Sequence, residues 1–265
     1  VQMLGKLIKY DLKSSAKLFI LLHAVFLLVC GAGRLFYMDR LDFHAPAETL
    51  VAPISIISAL GVFLVSAITL CTALLIMFRF YRNLFSREGY LSWTLPVSGI
   101  EHLWAKIISG YLLSVIDVMV VFAGILILVT GRNVTEAYRL IAPEMTEALG
   151  MSLGTFALYI FISSLIGCIG TVLMIYFSIC VGQLFPGHRV LCAIAVYFIT
   201  SFVVQIITFV IMTVFGLFDF YSTGTRAVAD DILNMLIPNT VFALILAVIQ
   251  YAAAHYIMKK KINLI

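Results

Sequence analysis

Residues 98–130 read "SGIEHLWAKIISGYLLSVIDVMVVFAGILILVT", and this stretch decides how the chain is read. Its start has the pattern of a helix N-terminus. Ser98 with Glu101 three residues on can form a capping box, each side chain bonding the other residue's backbone amide, and an apolar run follows. From Ile107 to Thr130 the one charged residue is Asp117. About 20 apolar residues of helix cross the hydrocarbon core of a bilayer, so 104–130 reads as a membrane span. The apolar residues run continuously instead of alternating, which selects a helix over a barrel strand.

The same pattern recurs along the chain. Of its residues 63% are apolar and 11% charged, against about 25% charged in a soluble domain. Spans are expected at 17–37, 53–78, 104–130, 152–184, 190–218 and 235–258, giving an all-α integral membrane protein with six transmembrane helices. The fourth exceeds one crossing, so it should tilt, kink near Gly167 and Gly170, or project from the membrane. No intervening segment is long enough for a soluble domain, so 1–265 is one transmembrane domain. The first span lacks a signal-peptide cleavage pattern. The natural chain is expected to start at Met3, with Val1 and Gln2 foreign to it.

Basic residues set the expected orientation, since cytoplasmic loops carry the excess of Lys and Arg. With the N-terminus inside, the cytoplasmic segments hold Lys6, Lys9, Lys13, Lys17, Arg79, Arg82, Arg87, Lys106, Arg189, Lys259, Lys260 and Lys261, twelve of the 17 basic residues. Nine of the 13 acids fall outside: Asp39, Asp42, Glu48, Glu136, Glu144, Glu147, Asp219, Asp230 and Asp231. Both termini are then cytoplasmic in a multi-pass protein of the cell membrane. The net charge of +4 reflects this topology and does not point to nucleic acid.

Residues 3–17, "MLGKLIKYDLKSSAK", put Leu4, Leu7, Ile8 and Leu12 on one helical face with Lys6, Lys9, Lys13 and Lys17 opposite. Such a helix is expected to lie in the interface, leucines in the acyl region and lysines toward anionic head groups. Asp11 is an anomaly on the apolar side. A solvated basic leader that only obeys the orientation rule is the alternative.

Between the second and third spans a few residues would have sufficed. Instead there is "RFYRNLFSREGYLSWTLPVSGIEHLWAKI" (79–107). Pro96 ends whatever precedes it, so 80–97 should form a cytoplasmic segment before the chain re-enters the membrane. Arg79, Arg82 and Arg87 suit acidic partners, and Phe85, Tyr90, Leu91 and Trp93 offer contact area of the kind enriched in interfaces. The residues alone equally allow aromatic anchoring at the head groups.

This region, "FSREGYLSWTLPVSGIEHLWAKIISG", resembles the cytoplasmic part of type-2 (exporter-like) ABC-transporter permeases. Glu88-Gly89, Leu91, Thr94-Leu95-Pro96-Val97-Ser98 and Lys106 carry the resemblance. Tyr90-Leu91-Ser92-Trp93 stands where that family often has an acidic-leucine repeat. The resemblance implies a coupling segment (Arg82, Phe85, Arg87, Glu88, Gly89, Tyr90, Leu91, Trp93 and Pro96) gripped by a cytoplasmic ATP-binding-cassette ATPase. It also implies a second permease subunit, identical or different, and a short re-entrant outer segment at 218–238. ATP and Mg would belong to the ATPase. The expected function is a permease subunit exporting an amphipathic or hydrophobic substrate such as a peptide, drug or lipid.

Nothing in this chain binds nucleotide through a GxxxxGK[ST] loop, and no HExxH motif occurs. No enzymatic activity, cofactor or metal is expected of it. Asp117 is the main ionisable residue deep in a span, where a charge costs at least ~3 kcal/mol. It could line a translocation path with Gln205, or be hydrogen-bonded to Ser114, Thr171 or another span. Gln205 and Gln250 fit interhelical hydrogen bonds, and His23 a ligand or proton carrier or, more simply, a satisfied core position. Gly150 and Gly154 form a GxxxG, and Asn133-Val134-Thr135 a chance sequon. Cys30, Cys71, Cys168, Cys180 and Cys192 lack metal or disulfide spacing and read as small buried hydrophobes. The competing classes are a self-sufficient carrier or channel and a non-transporting membrane scaffold.

Overall fold

The computed structural model describes residues 2–43, 45–86, 89, 94, 97–214 and 228–260. Among these the secondary structure is helical, with no strand. The helices are α1 (Gln2–Phe36), α2 (Ala47–Phe85), α3 (Gly99–Val129), α4 (Arg132–Leu149), α5 (Leu153–Gly182), α6 (Arg189–Met212) and α7 (Val228–Lys260). Six are long and apolar enough to cross a membrane, all except α4. The protein is an all-α membrane protein whose outer surface meets lipid.

Helix ends differ from the hydropathy estimates for a physical reason. Lipid transfer ends where charges begin, but a helix need not. α2 continues past the apolar run through Arg79, Arg82 and Asn83 to Phe85. The leader does likewise: with no Pro, and no Gly between Gly5 and Gly31, Gln2–Phe36 is one uninterrupted helix of 35 residues, about 52 Å long at 1.5 Å per residue. The expected separate helix at 3–17 is therefore the first half of α1, coaxial with the span. α5 likewise runs unbroken through Gly167 and Gly170.

α3 is the hub. It packs most extensively on α1 and also contacts α5, α2 and α7. Its buried stripe, Leu103, Lys106, Gly110, Leu113, Asp117, Val121 and Gly124, advances by three or four residues, as one helix face requires. Small and polar residues point inward, while Ile100, Trp104, Leu112, Ile116, Met119 and Leu126 are exposed. That arrangement suits helices in lipid, where the outside is as apolar as the inside and small residues allow close approach. At Gly110 an added Cβ would stand 2.6 Å from the Tyr176 hydroxyl, so glycine is what lets α5 close on α3.

The core is uneven along the bundle. The larger cluster joins Phe19, Ile76, Phe80, Leu84, Leu103, Ile107, Val172, Tyr176, Cys180, Ala254 and Ile257. These lie near the α2–α3 connection, with the Phe80 and Tyr176 rings stacked at 3.9 Å. Toward the far end a smaller cluster of Phe26, Cys30, Ile68 and Val121 remains, and Val51, Ile56, Leu60, Val62 and Phe63 of α2 are exposed. α6 packs chiefly on α5 and has no buried residue.

α4 fills a segment that the hydropathy profile leaves blank. Val134, Ala137, Tyr138, Met145 and Leu149 are half-buried on one face, a 3.6-residue repeat masked by the charges opposite. Its start is held by Asn133, whose Nδ2 donates to the Met38 and Leu41 carbonyls at 2.6 and 2.8 Å. The sequon asparagine is thus consumed by the fold. Of the outer segment 218–238, residues 218–227 lie outside the described residues. From Val228 onward it is continuous with the last span, through Pro238.

Candidate functional site

Two polar layers interrupt the apolar core, and both are built on α3. The first lies one to three turns into that helix. Ser98 accepts a hydrogen bond from the Glu101 amide at 3.3 Å, and the Glu101 carboxylate accepts from the Ser98 amide at 3.1 Å, so two orphan amides are satisfied reciprocally. One turn on, Lys106 forms an ion pair with Asp11 of α1. The Asp11 carboxylate also accepts from Ser109 of α3 and, at 3.1 Å, from Asn83 Nδ2 of α2. Tyr176 of α5 donates to the Lys106 carbonyl at 3.0 Å, and Arg79 of α2 donates to the Ser14 carbonyl. One polar cluster, buried at Lys106, Ser109 and Tyr176, thereby joins α1, α2, α3 and α5. The anomalous acid of the leader faces inward because it is the acceptor at the centre of this joint.

The second layer lies three turns further along α3. Asp117, His23 and Thr72 are 3%, 5% and 3% exposed. Asp117 Oδ1 accepts from Thr72 at 2.7 Å and meets His23 Nε2 at 2.9 Å. His23 Nδ1 lies 2.8 Å from the Phe19 carbonyl. The hydrogen-bond partners of Asp117 are thus on α1 and α2; Ser114 and Thr171 are not among them. His23 does not bridge Thr72 to the acid, since both approach the same oxygen, so the trio has no nucleophile–base–acid order.

The other expected site residues are dispersed. Phe85 is buried against Phe80, ring centroids 5.6 Å apart, and so belongs to the core and offers no docking area. Arg82 is exposed. Gly89 is buried, its amide bonded to the Ser86 carbonyl at 2.8 Å, and a Cβ there would stand 2.7 Å from the Leu84 carbonyl. Glycine at 89 is what allows this close approach to the Leu84 backbone. Arg87, Glu88, Tyr90, Leu91, Trp93 and Pro96 lie outside the described residues. Gln205 is exposed on α6, whereas Asp117 is buried. Gln250 is buried in α7, and among the described residues neither amide atom has a hydrogen-bond partner, contrary to the interhelical bond expected of it. The five cysteines are free, three buried and two half-buried. No group of three metal-ligating side chains occurs among the described residues.

Sequence reasoning left Asn83, Ser109 and Thr72 unremarked. Short polar side chains are common in membrane helices, and nothing local marks those that meet an acid. His23 and Asp117 carried a usable signal: two ionisable side chains deep in two spans each need a partner, and each is the other's.

Fold and site together define a class, a membrane protein with six helices long and apolar enough to span among the described residues and polar joints between them. Comparison with protein-family models, with curated proteins and with solved structures finds no match to this chain.

Proposed function

We propose that this chain is the permease subunit of a transporter driven by a separate cytoplasmic ATPase, exporting an amphipathic or hydrophobic cargo such as a peptide, drug or lipid. The observation that carries the reading is the Asp11–Lys106 joint beside the cationic 80–97 connection. A lever needs a docking surface, a stiff arm and a fixed attachment. The connection is the surface, the capped helix α3 the arm, and the joint attaches that arm to α1, α2 and α5. Force applied at the connection would then move four helices as a unit, while the sparsely packed far end is free to rearrange. The resemblance of 85–110 to exporter-like permeases supports the same reading, with a second permease subunit, the same or another chain, completing the path.

Affinity purification from native membranes tests it. An ABC-type ATPase should accompany the wild-type chain, and Arg82→Glu, Arg87→Glu or Trp93→Ala should release it. Recovery of the chain with no ATPase, or retention by all three variants, overturns the proposal. The buried His23–Asp117 pair favours a second reading, a self-sufficient carrier, which predicts transport by the purified chain in liposomes without nucleotide.

A further inference from the structure

We infer that His23, Asp117 and Thr72 form a proton-binding site within the membrane, whose single proton holds α1 against α3. The inference stands on geometry and is independent of the ATPase-driven reading.

The Phe19 carbonyl can only accept a hydrogen bond, so His23 Nδ1, 2.8 Å away, carries a hydrogen. This settles the chemistry of the other ring nitrogen. If the imidazole is neutral, Nε2 bears a lone pair, and its 2.9 Å contact with Asp117 Oδ1 needs a hydrogen supplied by a protonated carboxyl. If Nε2 bears the hydrogen, the ring is an imidazolium facing a carboxylate. Both forms contain one proton between Nε2 and Oδ1, and both are neutral as a pair. Take that proton away and a lone pair faces a carboxylate oxygen at hydrogen-bond distance, with a net negative charge among apolar helices. The contact must then open. Thr72 is placed to donate to Asp117 in either form, which makes the carboxyl the anchor and His23 the movable partner.

The setting isolates the site. Asp117 lies 18 residues into α3, about 27 Å from that helix's start at 1.5 Å per residue. On α1 the nearest charged residue is Lys17, six positions from His23 and exposed; Asp11 and Lys106, twelve positions from His23 and eleven from Asp117, are already paired with each other. α5 contributes the buried Cys168, within electrostatic reach of Asp117, and α2 adds the half-buried Cys71 beside Thr72. Apart from these neutral thiols, which cannot take up a proton, no acid or base shares the layer among the described residues, so a proton leaving the pair has no local acceptor and must exit the bundle.

The consequence is a dependence on pH with a definite sign. The packed state binds a proton that the separated state releases, so tight packing of α1 on α3 weakens as pH rises through that release. The test uses the full-length chain in lipid nanodiscs, labelled with 15N at histidine and 13C at the aspartate carboxyl. His23 is assigned by its loss in His23→Gln. Its Nδ1 should stay protonated throughout, with Nε2 and the Asp117 carboxyl responding in the same step. The step should vanish in Asp117→Asn. A His23 that titrates alike in wild type and Asp117→Asn, or that carries its hydrogen on Nε2 with Nδ1 bare, overturns the inference. A second readout separates a proton site from a merely structural bond. The wild-type thermal midpoint should fall as pH rises across the step, and Asp117→Asn and His23→Gln, which keep shape and hydrogen-bonding atoms, should lose that fall. Equal pH profiles in all three chains also overturn it. Should either variant fail to fold, the His23 signal is assigned in the wild type by its contact with the labelled Asp117 carboxyl, and Nε2 and that carboxyl responding in separate steps overturns the inference.

Discussion

Asp11 and Lys106, 95 positions apart, meet as a buried ion pair whose side chains are 9% and 10% exposed. Removing one partner of such a pair leaves an uncompensated charge and costs about 3–5 kcal/mol. Lys106→Met alone should therefore destabilise the detergent-solubilised chain by that order. Asp11→Asn in the same background should recover much of the loss, because the orphan charge disappears. Thermal or denaturant unfolding of the single and double variants gives the coupling. Additive losses would show that the pair does not join α1 to α3.

The cap of α3 predicts a local effect. Ser98→Ala removes the acceptor of the Glu101 amide, and loss of such a cap costs about 1 kcal/mol. Hydrogen exchange should quicken at Glu101 and its neighbours in the first turn and stay unchanged at Leu113. Uniform exchange along α3 in both chains would refute the capping role.

Gly110→Ala forces a Cβ toward the Tyr176 hydroxyl and to 3.0 Å from Val172 Cγ1. Overpacking of this kind costs about 1–3 kcal/mol. The double variant Gly110→Ala/Tyr176→Phe removes the obstructing oxygen and should regain part of the loss in a melting experiment. No gain from the second change would place the strain elsewhere.

Gln250 offers the opposite sign. Its amide is buried without a partner among the described residues, and an unsatisfied buried polar group costs about 1–3 kcal/mol. Gln250→Met keeps the length and drops the polar atoms. It should raise the melting temperature without altering helicity by circular dichroism; a lower melting temperature would mean that the amide is engaged.

Thr94 is exposed in the connection between α2 and α3. If that connection is cytoplasmic, as the proposed function requires, Thr94→Cys should react with a membrane-impermeant maleimide only after cells are permeabilised. Labelling of intact cells would invert the orientation and remove the docking surface from the ATPase.

How far the sequence reaches depends on the range of the interaction. The six spans and the Ser98–Glu101 cap are legible because lipid transfer and capping depend on residues a few positions apart. The leader was legible as an amphipathic helix but not as part of α1, since hydropathy ends at the last apolar residue and helical hydrogen bonding does not. α4 escaped because its apolar stripe is diluted by Arg132, Glu136, Arg139 and Glu144. The Arg-rich and aromatic connection suggested a uniform contact surface, yet Phe85 folds into the core, because its neighbours Phe80 and Leu84 are already committed there.

By itself the sequence determined that this chain is a bundle of membrane helices, how many there are and where α3 begins. Tertiary structure alone decided which face of each helix turns inward. In water the apolar face is buried and can be read from the pattern; in lipid both faces are apolar, and the choice falls to a few polar and small residues. Asp11 is inside because Lys106, Ser109 and Asn83 converge on it, and Asp117 because His23 and Thr72 do. Those meetings join positions 45 to 98 residues apart, and no local pattern specifies them.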